Sequence, residues 1–163
     1  MSTLTLGIIG GGQLGSMLAI AAKKLQIKTV VFCDDADAPA QNFCDKFIYG
    51  NYDDNQNISE FVEQVDVVTY EFENIPYETL NEINKIKNVL PRPSVNRLIQ
   101  HRLAEKDFIN KLNIRTTRYV SVKEKSEINT LNDFLPGILK TVTLGYDGKG
   151  QYPINSINEL NKM

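Results

Sequence analysis

Apolar and polar positions along this chain fall into blocks that switch repeatedly between a strand period and a helix period. Residues 4–9 are a short apolar run broken by glycine, the pattern of a buried parallel strand. A glycine cluster comes next, and beyond it Leu14, Leu18, Ala21, Ala22 and Leu25 fall on one helical face. Lys28–Cys33 (KTVVFC) reads as a second strand closed by Asp34 and Asp35, and a loop with Pro39 leads to a short strand at Lys46–Tyr49. Residues 55–64 read as a helix, residues 65–70 (VDVVTY) as a β-branched strand, and residues 77–86 as a helix with Leu80, Ile83 and Ile86 inward.

The segment Pro91-Arg92-Pro93 breaks this rhythm, and Ser94 is placed to cap the element after it. Beyond it the pattern predicts a helix over 102–112, a short strand over 117–120 and a helix over 128–135. It then predicts a strand at Gly137–Lys140, a glycine-rich loop over 141–151, a strand over 152–154 and a last helix running to Met163. Strands alternating with helices at this spacing imply βαβ units and a parallel sheet, hence an α/β fold. The expected boundary separates residues 1–93 from residues 94–163, and the second part has too few elements to close a domain by itself.

Charge changes at the same place. The net charge is −2, which excludes a strongly basic nucleic-acid binder. Residues 1–93 carry 7 Lys and Arg against 13 Asp and Glu, whereas residues 94–163 carry 11 against 7, so a polyphosphate is expected on the second part. Hydrophobic residues make up 42% and charged residues 23% of the 163, an ordinary globular composition. Cys33 and Cys44 are too few for a disulfide framework or a four-ligand zinc site and read as buried small hydrophobes. No apolar run reaches the roughly 18 residues of a membrane span, and MSTLTLGIIGGG lacks a basic signal-peptide start, so a cytoplasmic protein is expected.

Three constellations carry chemistry. Gly10, Gly12 and Gly15 satisfy G-x-G-x-x-G between a strand and a helix, and Asp34 lies where a dinucleotide-binding domain holds a ribose hydroxyl. Taken alone, that motif fits NAD binding or a tight turn that only packs helix on sheet. Glu71-Phe72-Glu73-Asn74 comes directly after the strand over 65–70; its carboxylates either accept hydrogen bonds from sugar hydroxyls or an amine, or favour a helix N-terminus. The third is Lys140 with Gly145-Tyr146-Asp147-Gly148-Lys149-Gly150-Gln151 after it. Alternating glycines with two lysines suit a loop folded over phosphates, and the same residues read as a β-hairpin turning at Asp147-Gly148. Arg102, Glu105 and Lys106 share a helix face, and His101, the single histidine, has no partners for a triad or metal site.

The strings IIGGGQLG, VTYEFENI, RLIQHRLAEKDFINKL and LKTVTLGYDGKGQ, in this order along nearly the whole chain, resemble the 5-(carboxyamino)imidazole ribonucleotide synthases, an ATP-grasp family of purine biosynthesis. The resemblance implies a Rossmann-like pre-ATP-grasp domain over 1–93, then the opening of an ATP-grasp domain over 94–163. It implies carboxylation of 5-aminoimidazole ribonucleotide with ATP, bicarbonate and Mg²⁺ through carboxyphosphate. By resemblance, Arg102, Lys140, Gly145, Tyr146, Asp147, Gly148, Lys149, Gly150 and Gln151 contact ATP, with Lys140 and Lys149 as the loop's cations. Gln13, Leu14 and Glu71 line the ribonucleotide pocket, which Tyr146 and Asp147 also approach. The first domain would then bind no NAD.

Two departures from the family stand out. Leu144 occupies a position where the family commonly has another glycine. Family members also run to more than twice this length, so the metal ligands are expected beyond Met163, none within the chain, and the chain is expected to be inactive alone. The family's habit is a homodimer. Two other classes stay in play: an NAD(P)-binding Rossmann module built on Gly10, Gly12, Gly15 and Asp34, and a non-catalytic remnant that binds a partner.

Overall fold

The computed structural model describes residues 4–145 and 148–162. The chain divides into two compact units, Met1–Arg97 and Leu98–Met163.

In the first unit the β-branched runs form a parallel sheet. Its strands are β1 (Thr5–Ile9), β2 (Lys28–Cys33), β3 (Lys46–Tyr49), β4 (Val67–Tyr70) and β5 (Asn88–Val89), in the order β3-β2-β1-β4-β5. The two-residue β5 is too short to stand out as an apolar run, and the sequence pattern does not predict it. Helices α1 (Gln13–Lys24), α2 (Asn55–Glu63) and α3 (Tyr77–Asn84) lie in connections between strands, and α4 (Pro93–Ile99) follows β5. Alternation along each strand supplies a core to each face. Ile9, Val30, Phe32 and Val68 pack with Phe61, Val62, Leu80 and Ile83 of α2 and α3. Ile8, Val31 and Cys33 pack with Ala19 of α1 and with Ala38 and Ala40. Fully buried large side chains such as Phe61 contribute about 3–5 kcal/mol each against truncation.

Of the helical stripe expected on α1, only Ala22 is buried. The buried residues of α1 are Gly15, Ser16, Ala19 and Ala22, while Leu14 is 56% and Leu25 71% exposed. Close approach of a helix to a parallel sheet selects small residues, which places the leucines outward. Ile86 likewise lies past the end of α3 and is 63% exposed, whereas Leu80 and Ile83 are buried as expected. Ser94 sits inside the first turn of α4, which begins at Pro93. Cys33 is buried but Cys44 only half so. Two buried polar side chains donate to main-chain carbonyls: Thr79 Oγ1 to that of Tyr52 at 2.8 Å, and Nδ2 of the fully buried Asn96 to that of Ile75 at 3.0 Å.

The second unit holds α5 (Arg102–Lys111), the antiparallel pair β6 (Gly137–Lys140) and β7 (Gln151–Ile154), and the short α6 (Ile157–Leu160). Its core is small: Ile128, Leu131, Ile154 and Leu160, with Val122, Leu135, Leu139 and Ile157 against them. α5 buries none of its residues. No strand forms over 117–120; those residues bond back to α5 instead, Lys106 Nζ reaching Thr117 Oγ1 at 2.9 Å and the Tyr119 hydroxyl donating to Asp107. The helix expected over 128–135 is two 3-10 turns, Lys125–Thr130 and Asn132–Phe134, the first closed by reciprocal bonds between Glu124 and Glu127. Among the described residues, no helix is long and apolar enough to cross a membrane.

Candidate functional site

Two sites emerge, one in each unit. The first lies at the carboxyl ends of β1 and β4, adjacent parallel strands paired Ile9↔Tyr70. The sheet order reverses between these strands, since β2 lies on the other side of β1, and ligands of open α/β sheets bind at such a point. Gly10 continues the ladder, its N–H donating to the Phe32 carbonyl at 2.9 Å, and then turns with φ of +102°. Glu71 leaves β4 with its own N–H donating to the Ile9 carbonyl at 3.1 Å. That register brings the Glu71 side chain over the turn, where Oε1 accepts the Gly12 N–H at 3.0 Å.

All three motif glycines are explained by close approach at this turn. A Cβ on Gly10 would lie 2.9 Å from Glu71 Oε1, one on Gly12 3.2 Å from it, and one on Gly15 2.5 Å from the Gly10 carbonyl oxygen. Gln13 and Leu14 open α1 beside the turn with exposed side chains. The structure therefore brings Gln13, Leu14 and Glu71 together. Asp34 stands exposed after β2.

The second site is the loop joining β6 to β7. Lys140 pairs with Gln151 at its mouth, and the Thr141 N–H donates to the Gly150 carbonyl at 2.9 Å. The hairpin reading is therefore realised; Tyr146 and Asp147, including the turn expected at Asp147-Gly148, lie outside the described residues. Gly148 and Gly150 have φ of +82° and +63°, and Leu144 shares that left-handed conformation at +58°. Arg102 begins α5 and ties the loop down. Its backbone N–H donates to the Val142 carbonyl at 2.9 Å, Nε to Thr141 O at 3.3 Å and Nη2 to Gly145 O at 3.1 Å. Lys140 and Lys149 are exposed. A glycine-rich loop with fixed ends and two lysines can present backbone N–H groups and positive charge to a polyphosphate.

Two participants escape a reading of the sequence alone. Thr141 is the residue around which the loop closes, since side chains at Gly145 or Gly150 would press on its Oγ1. His101 is the N-cap of α5, with Nδ1 accepting the Ala104 N–H at 3.3 Å. The signal for Thr141 is its place directly after a strand-end lysine; for His101, its place one residue before a helix.

A family model described as the ribonucleotide synthetase preATP-grasp domain matches residues 2–100, and an ATP-grasp domain model matches residues 107–163. The N5-carboxyaminoimidazole ribonucleotide synthase of Staphylococcus epidermidis is 38% identical over 160 residues, covering 97% of this chain and 43% of its own. The crystal structure of N5-carboxyaminoimidazole synthetase from Staphylococcus aureus complexed with ADP superposes with a TM-score of 0.91 at 37% identity, covering 99% of this chain and 44% of that one. The Aspergillus clavatus N5-carboxyaminoimidazole synthase, solved with ADP and 5-aminoimidazole ribonucleotide, gives a TM-score of 0.84 at 25% identity over 98% of this chain and 43% of that one. The chain spans less than half the length of each of these relatives. Since the preATP-grasp match alone covers more than half of its residues, the chain belongs to the ribonucleotide synthetase preATP-grasp family and continues into an ATP-grasp domain.

Proposed function

We propose that this chain supplies the ribonucleotide-facing domain and the phosphate-covering hairpin of an enzyme that carboxylates 5-aminoimidazole ribonucleotide with ATP and bicarbonate. The observation that carries this reading is the hairpin: Lys140 at its mouth, Lys149 in its loop, and Arg102 holding the loop carbonyls. Such a loop meets the main demand of phosphoryl transfer, which is positioning plus neutralisation of charge on the transferring group.

In the proposed reaction a bicarbonate oxygen attacks the γ-phosphorus of ATP, the bond to the bridging oxygen breaks, and ADP leaves. The exocyclic amine of the ribonucleotide then attacks the carboxyl carbon. Phosphate departs with the bridging oxygen, and the nitrogen loses a proton to give the carbamate. Arg102, Lys140, Lys149, Gln151 and the loop glycines, with Tyr146 and Asp147, are assigned to ATP. Gln13, Leu14 and Glu71 are assigned to the ribonucleotide, which Tyr146 and Asp147 also approach. Mg²⁺ would accompany ATP and neutralise its phosphates. The described residues offer it no cluster of three carboxylate, histidine or cysteine ligands. The same reading puts the assembled enzyme in the cytoplasm as a homodimer.

The dinucleotide reading has less support, because a pyrophosphate on the glycine turn would meet the Glu71 carboxylate. ADP release by the natural gene product decides between these. It is expected to require both bicarbonate and 5-aminoimidazole ribonucleotide, and Lys140→Ala is expected to lower kcat/KM for ATP roughly 10- to 150-fold. ADP release indifferent to both co-substrates would overturn the assignment.

A further inference from the structure

The outer face of α1 carries an apolar stripe that the core does not use. The helix buries its small residues Gly15, Ser16, Ala19 and Ala22 against the sheet and leaves Leu14, Leu18, Ala21 and Leu25 exposed. Met17 flanks them; it, Leu14 and Leu25 are each more than half exposed, and Leu18 is 36% exposed. These side chains leave roughly 400 Å² of apolar surface open, the size of patch that marks an interaction site. Their spacing of four, three and four residues is that of a seam between two packed helices.

Two observations identify the occupant as a second copy of the chain. The stripe is symmetric along the helix, because Leu14 and Leu25 share a midpoint with Leu18 and Ala21. An antiparallel pair then sets leucine on leucine at the ends and leucine on alanine near the centre, the self-complementarity that a two-fold axis requires. Charge follows the same symmetry. Lys23 and Lys24 close α1 and Lys28 follows it, all exposed. At the opposite end of the helix stand the exposed Asp34, Asp35 and Asp37. Their loop is tied to the start of α1 just beyond them, where the Ala40 N–H donates to the Gly11 carbonyl at 3.0 Å. Antiparallel pairing brings the basic end of each copy beside the acidic loop of the other. Asp45 and Asp66, at the basic end, are engaged already by the main-chain N–H groups of Thr29 and Thr5.

We propose that the outer face of α1 is the surface on which two copies of this chain pair, antiparallel about a two-fold axis. The stripe supplies the centre and the Lys and Asp clusters the rim. With that rim the contact reaches the roughly 1,000 Å² of a specific interface, at the weak end of the range, so the dimer is reversible. The pairing rests on the homodimer reading above and on none of the carboxylation chemistry, so the two fail separately.

Sedimentation velocity of the chain at about 100 μM, well above a micromolar dissociation constant, provides the test. The wild type is expected to be a dimer. Leu18→Asp, at a residue assigned to no ligand, buries two unpaired carboxylates in the seam and is expected to lower association roughly 100-fold or more, leaving a monomer. Circular dichroism checks folding; if that variant does not fold, Leu25→Asp, at a position 71% exposed, decides alone. Raising NaCl from about 0.05 to 0.5 M is expected to weaken the dimer severalfold by screening the rim. A monomeric wild type overturns the homodimer and its surface together. A dimer that survives in the folded leucine variants overturns the surface alone, and one that tightens with salt overturns the antiparallel arrangement.

Discussion

Arg102 holds Gly145: the guanidinium Nη2 donates to the Gly145 carbonyl at 3.1 Å while Nε of the same side chain donates to Thr141 O at 3.3 Å. One planar donor group thus spans the loop from its first residue to its first glycine. A charged group donating to a carbonyl contributes about 1.5 kcal/mol or more, roughly tenfold in an opening equilibrium. Arg102→Ala should therefore speed hydrogen exchange of the Thr141 amide about tenfold, and Arg102→Lys, which lacks the fork, should recover little of it. Unchanged exchange in the alanine variant would show that the loop holds itself.

Leu144 is 72% exposed and sits at φ of +58°, a conformation that opposes its Cβ to the backbone. The left-handed region costs a non-glycine residue about 1–2 kcal/mol, and glycine returns about 0.5–1 kcal/mol of that through its more flexible unfolded state. Leu144→Gly should raise stability by roughly 0.5–1 kcal/mol, read as a higher urea midpoint with an unchanged slope. A lowered midpoint would mean that the leucine side chain holds the loop by packing.

Alkaline pH should destabilise the first unit. Burial pushes the Tyr52 phenol well above the ordinary tyrosine value of 10.0, with the neighbouring Cys33 reinforcing the shift, and burial raises Tyr70 as well. The folded state keeps these protons while the unfolded chain loses them, so the unfolded state binds fewer protons above about pH 10. Stability is fully present below that value and falls as pH rises through it. Tyr52→Phe should flatten the fall, and an identical pH profile for the two proteins would remove Tyr52 as its cause.

The second unit should exchange its amides faster than the first. α5 buries no residue, and Phe108, Leu112, Ile114, Val120 and Ile138 are all exposed, against a sheet covered on both faces in the first unit. Few buried apolar contacts mean low free energies of local opening. Hydrogen exchange should show strong protection in β1, β2 and β4 and weak protection over 113–162. Uniform protection across both units would contradict this.

Elements whose signal is local are the ones legible in the residues. Strands β1 to β3 and the β6–β7 hairpin are of this kind, because short apolar stretches bounded by glycine, proline or aspartate specify extended structure by themselves. The buried face of α1 is not, because hydrophobicity points to Leu14, Leu18 and Leu25 beside Ala22, whereas closeness to the sheet selects Gly15, Ser16 and Ala19 with Ala22. The segment 117–120 has the composition of a strand but no ladder, and its hydroxyls bond to α5 instead. Glu71 and the glycine motif each stand out in the sequence, yet their contact depends on β1 and β4 lying side by side, a pairing across 61 residues that no local pattern reports.

Activation of bicarbonate by ATP for attack by the ribonucleotide amine can be followed directly by isotope transfer. The natural gene product would be given ATP, 5-aminoimidazole ribonucleotide and freshly dissolved ¹⁸O-bicarbonate, and the released phosphate analysed by mass. One bicarbonate oxygen attacks phosphorus and stays with it when the carboxyl carbon is transferred, so the phosphate should carry ¹⁸O. Unlabelled phosphate would mean that water, not bicarbonate, takes the phosphoryl group, and the proposed carboxylation would fall.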